Sequence, residues 1–170
     1  MLRLFQAFLA ICLLRRGPQD LPASRFLFWL TASAGLLLGT LILASDDEPL
    51  LNALLAQGLD QLLTGALLYS ALSLQRRQGR FLQAGSAIFG SGLLVNLALI
   101  PLLLLAAGAT PQEPRAQLAG LLFLMLLGWS IVILGHILRH TFDLPFGAGL
   151  MLGLGYFLFI NQLVSGILGT

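Results

Sequence analysis

Five long apolar blocks, separated by short polar segments, dominate this sequence of 170 residues. About 20 apolar residues in a row are long enough to cross the hydrocarbon core of a bilayer as a helix. Helices suit this environment because they satisfy every backbone hydrogen bond within their own segment. We therefore predict an all-α, polytopic membrane bundle of about five transmembrane helices within residues 25–170. The approximate spans are 26–44, 54–74, 81–107, 118–138 and 146–168.

Composition supports lipid as the solvent of this chain. Only 9% of the residues are charged and 58% are hydrophobic, whereas soluble domains carry about 25% charged residues. So few charges cannot cover a surface that faces water. The basic residues form no long run interleaved with aromatic residues, so we predict membrane lipids, and no nucleic acid, as binding partners.

The arginines predict the orientation in the membrane, because short loops rich in Arg stay in the cytoplasm. One set of loops holds eight of the nine basic residues: Arg3, Arg15, Arg16, Arg25, Arg76, Arg77, Arg80 and Arg139. The other set holds Arg115 with Asp46, Asp47, Glu48 and Glu113. We expect a cytoplasmic N-terminus and an external C-terminus. The basic residues are all arginine, which is typical of GC-rich bacterial genomes, so we expect the bacterial inner membrane.

The first 24 residues are predicted to form a cytoplasmic amphipathic helix and a juxtamembrane segment. The apolar stretch 7–14 is too short to span a bilayer, and two arginines follow it where a signal peptide needs small residues. An interfacial helix fits the pattern, with Arg3, Gln6 and Arg15 toward water and with Phe5, Phe8 and Leu9 in lipid. Pro18 and Pro22 then end the helix.

Small residues recur at the spacing that lets helix backbones approach closely in lipid. Two G-x-x-x-G motifs and one looser pair are present: Gly35 with Gly39, Gly149 with Gly153, and Ser86 with Gly90. The commoner interpretation is packing within the bundle. The alternative is that at least one of these faces binds another membrane protein or a second copy of the chain.

Clustered arginines form a predicted cytoplasmic basic face of Arg15, Arg16, Arg76, Arg77 and Arg80. Basic residues near a membrane surface contribute about 1 kcal/mol each with anionic lipid. The face could bind such lipid or a cytosolic partner, although topology alone also explains these residues.

Asp60 is the most informative polar residue in the apolar blocks. Gln57, Asp60 and Thr64 lie on one helix face, and a charge at the bilayer centre costs roughly 2.5–3.5 kcal/mol. The face could form an intramembrane polar site with Asn96 and Asn161 from other spans. The simpler interpretation is that the second span begins later and that Asp60 is solvated near the outer interface.

His136, His140 and Asp143 form a weak candidate for a metal site, because histidines at i and i+4 share one helix face. A polar cap at the membrane interface is the commoner explanation, so we predict no metal. The sequence has no nucleophile–base set and no phosphate-binding glycine loop, and it has one cysteine. We therefore expect neither enzymatic activity nor a cofactor.

With this topology the chain resembles the Yip1-like family of small membrane proteins. The residues that contribute are the segment 16–22 with its two prolines, Gly128-Trp129-Ser130 in the fourth block, and Tyr156-Phe157 in the last. The resemblance implies a cytoplasmic N-terminus, five clustered helices and an outward C-terminus. It also implies a non-enzymatic partner in membrane traffic, since eukaryotic members associate with small GTPases and with one another.

Two functions follow from these features. The first is a non-enzymatic scaffold or accessory subunit that binds other membrane proteins through its small-residue helix faces. The alternative is a small oligomeric transporter or proton-linked permease that uses Asp60.

Overall fold

The computed structural model describes residues 2–44 and 49–168, and that part of the chain contains helices and no strand. Six α-helices follow one another: α1 (Leu2–Cys12), α2 (Arg25–Ala44), α3 (Leu50–Leu74), α4 (Phe81–Ala106), α5 (Pro114–Phe142) and α6 (Phe146–Leu168). Short 3-10 turns at Pro18–Asp20 and Gln78–Arg80 precede α2 and α4. Each of the five apolar blocks of the sequence corresponds to one long helix.

Four segments of the described chain are long and apolar enough to cross a membrane: Arg25–Ala44, Gln78–Ala106, Pro114–Phe142 and Phe146–Val164. Large apolar side chains face outward along them; Leu37, Leu104, Leu124 and Leu158 are each 58% to 72% exposed. An apolar surface of this extent is stable in lipid and would associate in water. The chain is therefore an integral, multi-pass membrane protein.

α3 is not among these four segments, although it has 25 residues. Gln57, Asp60 and Gln61 lie in its first half and lower its mean hydropathy. These polar residues explain why α3 does not count among the apolar segments.

The four apolar helices pack in a row in which α2 contacts α4, α4 contacts α5 and α5 contacts α6. α3 lies against α2 and makes fewer contacts with α4 and α6. This arrangement encloses space between α3 and the row.

Part of the apolar face of α1 packs against other helices of the protein and not against lipid. Ile11 is fully buried and Phe8 is 8% exposed, in a cluster with residues of α4 and α5. The Phe8 ring occupies the place where a side chain at Gly90 would be. The prediction that Phe8 faces lipid is therefore wrong, because apolar periodicity does not distinguish lipid from an apolar groove in the protein. Phe5 and Leu9 are exposed.

Two polar contacts fix the segment that follows α1. The indole Nε1 of Trp129 donates a hydrogen bond to the carbonyl oxygen of Cys12 at 3.1 Å. The Nε2 of His136 lies 2.9 Å from the carbonyl oxygen of Arg16, so this ring nitrogen carries the proton and donates. The N-terminal helix is thus part of the bundle.

Candidate intramembrane binding site

The polar face of α3 packs on the small residues of α2. A Cβ atom at Gly35 would lie 3.2 Å from Nε2 of Gln61. A Cβ atom at Gly39 would overlap the side chain of Gln57. The first G-x-x-x-G motif therefore makes room for two glutamine side chains. Gly35 meets Gln61, whereas Gly39 meets Gln57. The two helices are therefore antiparallel.

A cavity of about 400 Å³ lies beside this contact and is lined by α2, α3, α4, α5 and α6. The sequence-predicted polar residues all line it: Gln57, Asp60, Thr64, Asn96 and Asn161. Three different helices contribute these five side chains. The cavity reaches the middle of the bundle, where it meets Gly35 of α2 and Ser130 of α5.

The cavity is also lined by polar residues that were not predicted from the sequence to belong to a site, among them Gln61, Ser130 and Tyr156. Ser130 Oγ donates to the carbonyl oxygen of Leu127 at 2.7 Å, a common arrangement in helices that gives no sequence signal of a site. The Tyr156 hydroxyl is buried beside Thr64 but makes no hydrogen bond of normal geometry with the described residues. A buried polar atom of this kind calls for an explanation.

The cavity has an acidic group in its lining and no basic group among the described residues. Asp60 supplies a carboxyl group, and among the described residues that line the cavity none is Arg, Lys or His. The remaining polar groups are amides and hydroxyls, which can both donate and accept. The arrangement suits a group that is cationic or that donates hydrogen bonds to a carboxyl oxygen.

The six small residues predicted to pack or to bind a partner are all buried within the bundle. Gly149 and Gly153 of α6 face Gly135 of α5 so closely that a Cβ atom on Gly153 would lie 2.8 Å from the Gly135 nitrogen. Ser86 is fully buried, and Gly90 contacts Phe8 of α1. These residues therefore leave no side accessible to a second protein.

The predicted basic face divides into two groups. Arg77 and Arg80 both form ion pairs with Asp143, and Arg80 also donates to the carbonyl oxygen of Thr141 at 2.9 Å. The hydrogen bond from Arg80, with that from Arg77, holds the pKa of the Asp143 carboxyl below its ordinary value. These two arginines thus tie the α3–α4 connection to the end of α5, whereas Arg15, Arg16 and Arg76 are exposed.

The weak metal candidate does not come together as a ligand set. His136 uses one ring nitrogen for the Arg16 carbonyl, and Asp143 is held by two arginines. The described residues contain no group of three side chains placed to hold a metal ion. The two histidines, whose ring centroids are 4.6 Å apart, belong instead to a polar cap where α5 ends.

Comparisons with family models, with curated proteins and with solved structures match nothing to this chain. The resemblance to the Yip1-like family therefore stays a prediction.

Proposed function

We propose that this chain is a membrane-embedded binding protein, with the kind of site that a small permease uses, and that Asp60 receives the cationic or hydroxyl group of a small ligand. The observation that carries the proposal is the cavity of about 400 Å³ into which four helices bring carboxyl, amide and hydroxyl groups. Ligand pockets commonly enclose about 300–1,000 Å³ and fix their ligand with a few convergent polar groups.

In this proposal α3 crosses the bilayer as a fifth span. Its 25 residues are about 37 Å long at 1.5 Å per residue, and the first half of α3 packs on Gly35 and Gly39 in the middle part of α2. Four of its polar side chains, those of Gln57, Asp60, Gln61 and Thr64, line the cavity, which lowers the cost of crossing. Five spans keep eight arginines on the cytoplasmic side of a bacterial inner membrane and direct the C-terminus outward.

The cytoplasmic half of the bundle favours a binding site over an open pore. There Leu68 and Leu72 of α3 pack with Ala84, Leu138 and Phe142 in an apolar cluster. Such a cluster offers water and ions no hydrogen-bonding groups. Release of a ligand toward the cytoplasm would require α3, which makes fewer contacts with α4 and α6 than with α2, to move.

The alternative of a scaffold that binds other membrane proteins through small-residue faces receives less support. Its six candidate residues are buried between helices of this chain. A scaffold would have to use the outer, lipid-facing surfaces, and within residues 2–44 and 49–168 these surfaces carry no feature that points to a particular partner.

The proposal is tested with dicyclohexylcarbodiimide, an apolar reagent that modifies carboxyl groups inside membranes. In nanodiscs the reagent is expected to modify Asp60, as read by the loss of the unmodified peptide in mass spectrometry. With this readout, coupling of the activated carboxyl group to an amine also counts as modification, and protection appears as survival of the unmodified peptide. Butylamine, a small cationic probe, should occupy the cavity and slow the modification about tenfold when nearly all sites are filled.

Glu113 is the internal control, because this carboxyl group lies at the start of α5 among Thr110 and Arg115, away from the cavity. Because the reagent attacks protonated carboxyl groups in apolar surroundings, Glu113 should stay unmodified with and without butylamine, and Glu113→Gln should leave the protection of Asp60 unchanged. Asp60→Asn should remove the signal. Modification of Asp60 at the same rate with and without the amine would contradict the proposal.

A further inference from the structure

A second cavity, the apolar groove, adjoins the polar cavity. It encloses about 520 Å³ between α3 and the row α4–α5–α6, and its walls include Leu67, Ala71, Leu152 and Phe159. Gln75 at the cytoplasmic end of α3 supplies one of its few polar groups. The groove therefore occupies the cytoplasmic half of the gap beside α3, and the polar cavity occupies the half toward the outer ends of the helices.

The two cavities share a boundary. Ile88 of α4 and Tyr156 of α6 line both of them. Tyrosine suits such a boundary because its ring is apolar and its hydroxyl is polar. The Tyr156 hydroxyl, which lacks a hydrogen bond of normal geometry with the described residues, can bond the first polar atom of a molecule that extends from one cavity into the other.

From this shared boundary, and resting on the proposed function, we infer that the ligand is a single-chain amphiphile with a protonated amine as its head. The head binds at Asp60 and the chain lies in the apolar groove past Tyr156. A volume of about 520 Å³ is that of a site for one small molecule, which favours one chain over the two chains of a phospholipid. In the proposed topology the head lies nearer the outer face than the chain, as in an outer-leaflet amphiphile.

Gly155 allows the groove to be altered without touching the polar groups. It lines the groove, and a Cβ atom on it would meet no atom within 4 Å. Gly155→Leu therefore adds an apolar side chain to the groove at little cost to the bundle. Gly166→Leu is the matched control, because it makes the same change on the same helix at another position where a Cβ atom meets open space.

The experiment compares dodecylamine with butylamine as protectants of Asp60 against dicyclohexylcarbodiimide in nanodiscs, at matched mole fractions in the membrane. Both probes carry the same ammonium group. Gly155→Leu is expected to raise the dodecylamine fraction needed for half-protection about tenfold and to leave butylamine protection unchanged. Gly166→Leu is expected to change neither.

Two results would overturn the inference while leaving the proposed function in place. One is protection by dodecylamine that is equal in the wild type and in Gly155→Leu. The other is a phospholipid that native mass spectrometry finds on the wild type and not on Gly155→Leu, since a bilayer lipid would then occupy the groove. Failure of both amines to protect a labelled Asp60 would instead contradict the proposed function itself.

Discussion

The two G-x-x-x-G motifs of this protein lie in similar apolar helices but have different neighbours. On α6, Gly149 and Gly153 meet the backbone of α5 at Gly135. On α2, Gly35 and Gly39 meet the side chains of Gln61 and Gln57. One motif brings two backbones together, and the other makes space for polar side chains inside a membrane bundle.

The difference separates a rigid side of the bundle from an adjustable side. Backbone atoms cannot move without moving a whole helix, whereas a glutamine side chain can change rotamer. Both cavities lie on the adjustable side, between α3 and the rest. A small-residue motif in a membrane helix is therefore weak evidence for a partner protein until its neighbours are known.

Gly153→Leu should have the largest effect of the variants that test this difference. A Cβ atom at position 153 would lie 2.8 Å from the nitrogen and 2.9 Å from the Cα atom of Gly135. Because these are backbone atoms, α5 and α6 would have to separate. We expect a loss of about 3 kcal/mol in the free energy of unfolding, measured by steric trapping in bicelles.

Gly147→Leu is the matched control, because it lies on the same helix at a position where a Cβ atom meets no neighbour. Its free energy of unfolding should stay close to that of the wild type. Equal losses in the two variants would mean that leucine disturbs α6 by itself, and that the close contact of α5 with α6 does not set the stability of this side.

Gly39→Leu should have a smaller effect, and one that a second substitution repairs. The three atoms nearest to the new Cβ atom all belong to the side chain of Gln57, so the cost should be about 1 kcal/mol. Gln57→Ala in the same chain should restore much of the loss, as a double-mutant cycle in bicelles would measure. Additive losses would show that the two residues do not compete for one space.

The sequence predicts the helices well because their cause is local. Each apolar block has the length of a membrane crossing, and prolines and charged residues end the blocks. Pro114, for example, is the first residue of α5, a position where its missing N–H costs no hydrogen bond. Periodicity also predicts that Gln57, Asp60 and Thr64 share one face.

Contacts between helices are harder to predict, because lipid and a protein interior are equally apolar. Nothing in the pattern of α1 indicates that Phe8 fits beside Gly90 while Phe5 stays exposed. Ser130 and Tyr156 likewise join the cavity through the arrangement of α5 and α6, and single polar residues in apolar helices give no periodic signal. The apolar groove is lined mainly by apolar residues, which give no sequence signal that distinguishes a groove from a lipid-facing surface.

Asp143→Asn should have the smallest effect, since the ion pairs with Arg77 and Arg80 are exposed and such pairs contribute little. The substitution keeps the backbone, because asparagine tolerates the left-handed conformation that Asp143 adopts with φ of 58°. In the folded protein the pKa of the Asp143 carboxyl group lies below its ordinary value of 3.8. The stabilising contribution of its ion pairs is therefore complete above that pH and is lost as the pH falls through the folded pKa. The melting temperature of the wild type should therefore exceed that of Asp143→Asn by a constant amount from about pH 7 to pH 5, and the difference should shrink as the pH falls from about 4 through the folded pKa of Asp143. A gap that persists in acid would mean that Asp143 holds α3 and α5 together by something other than its charge.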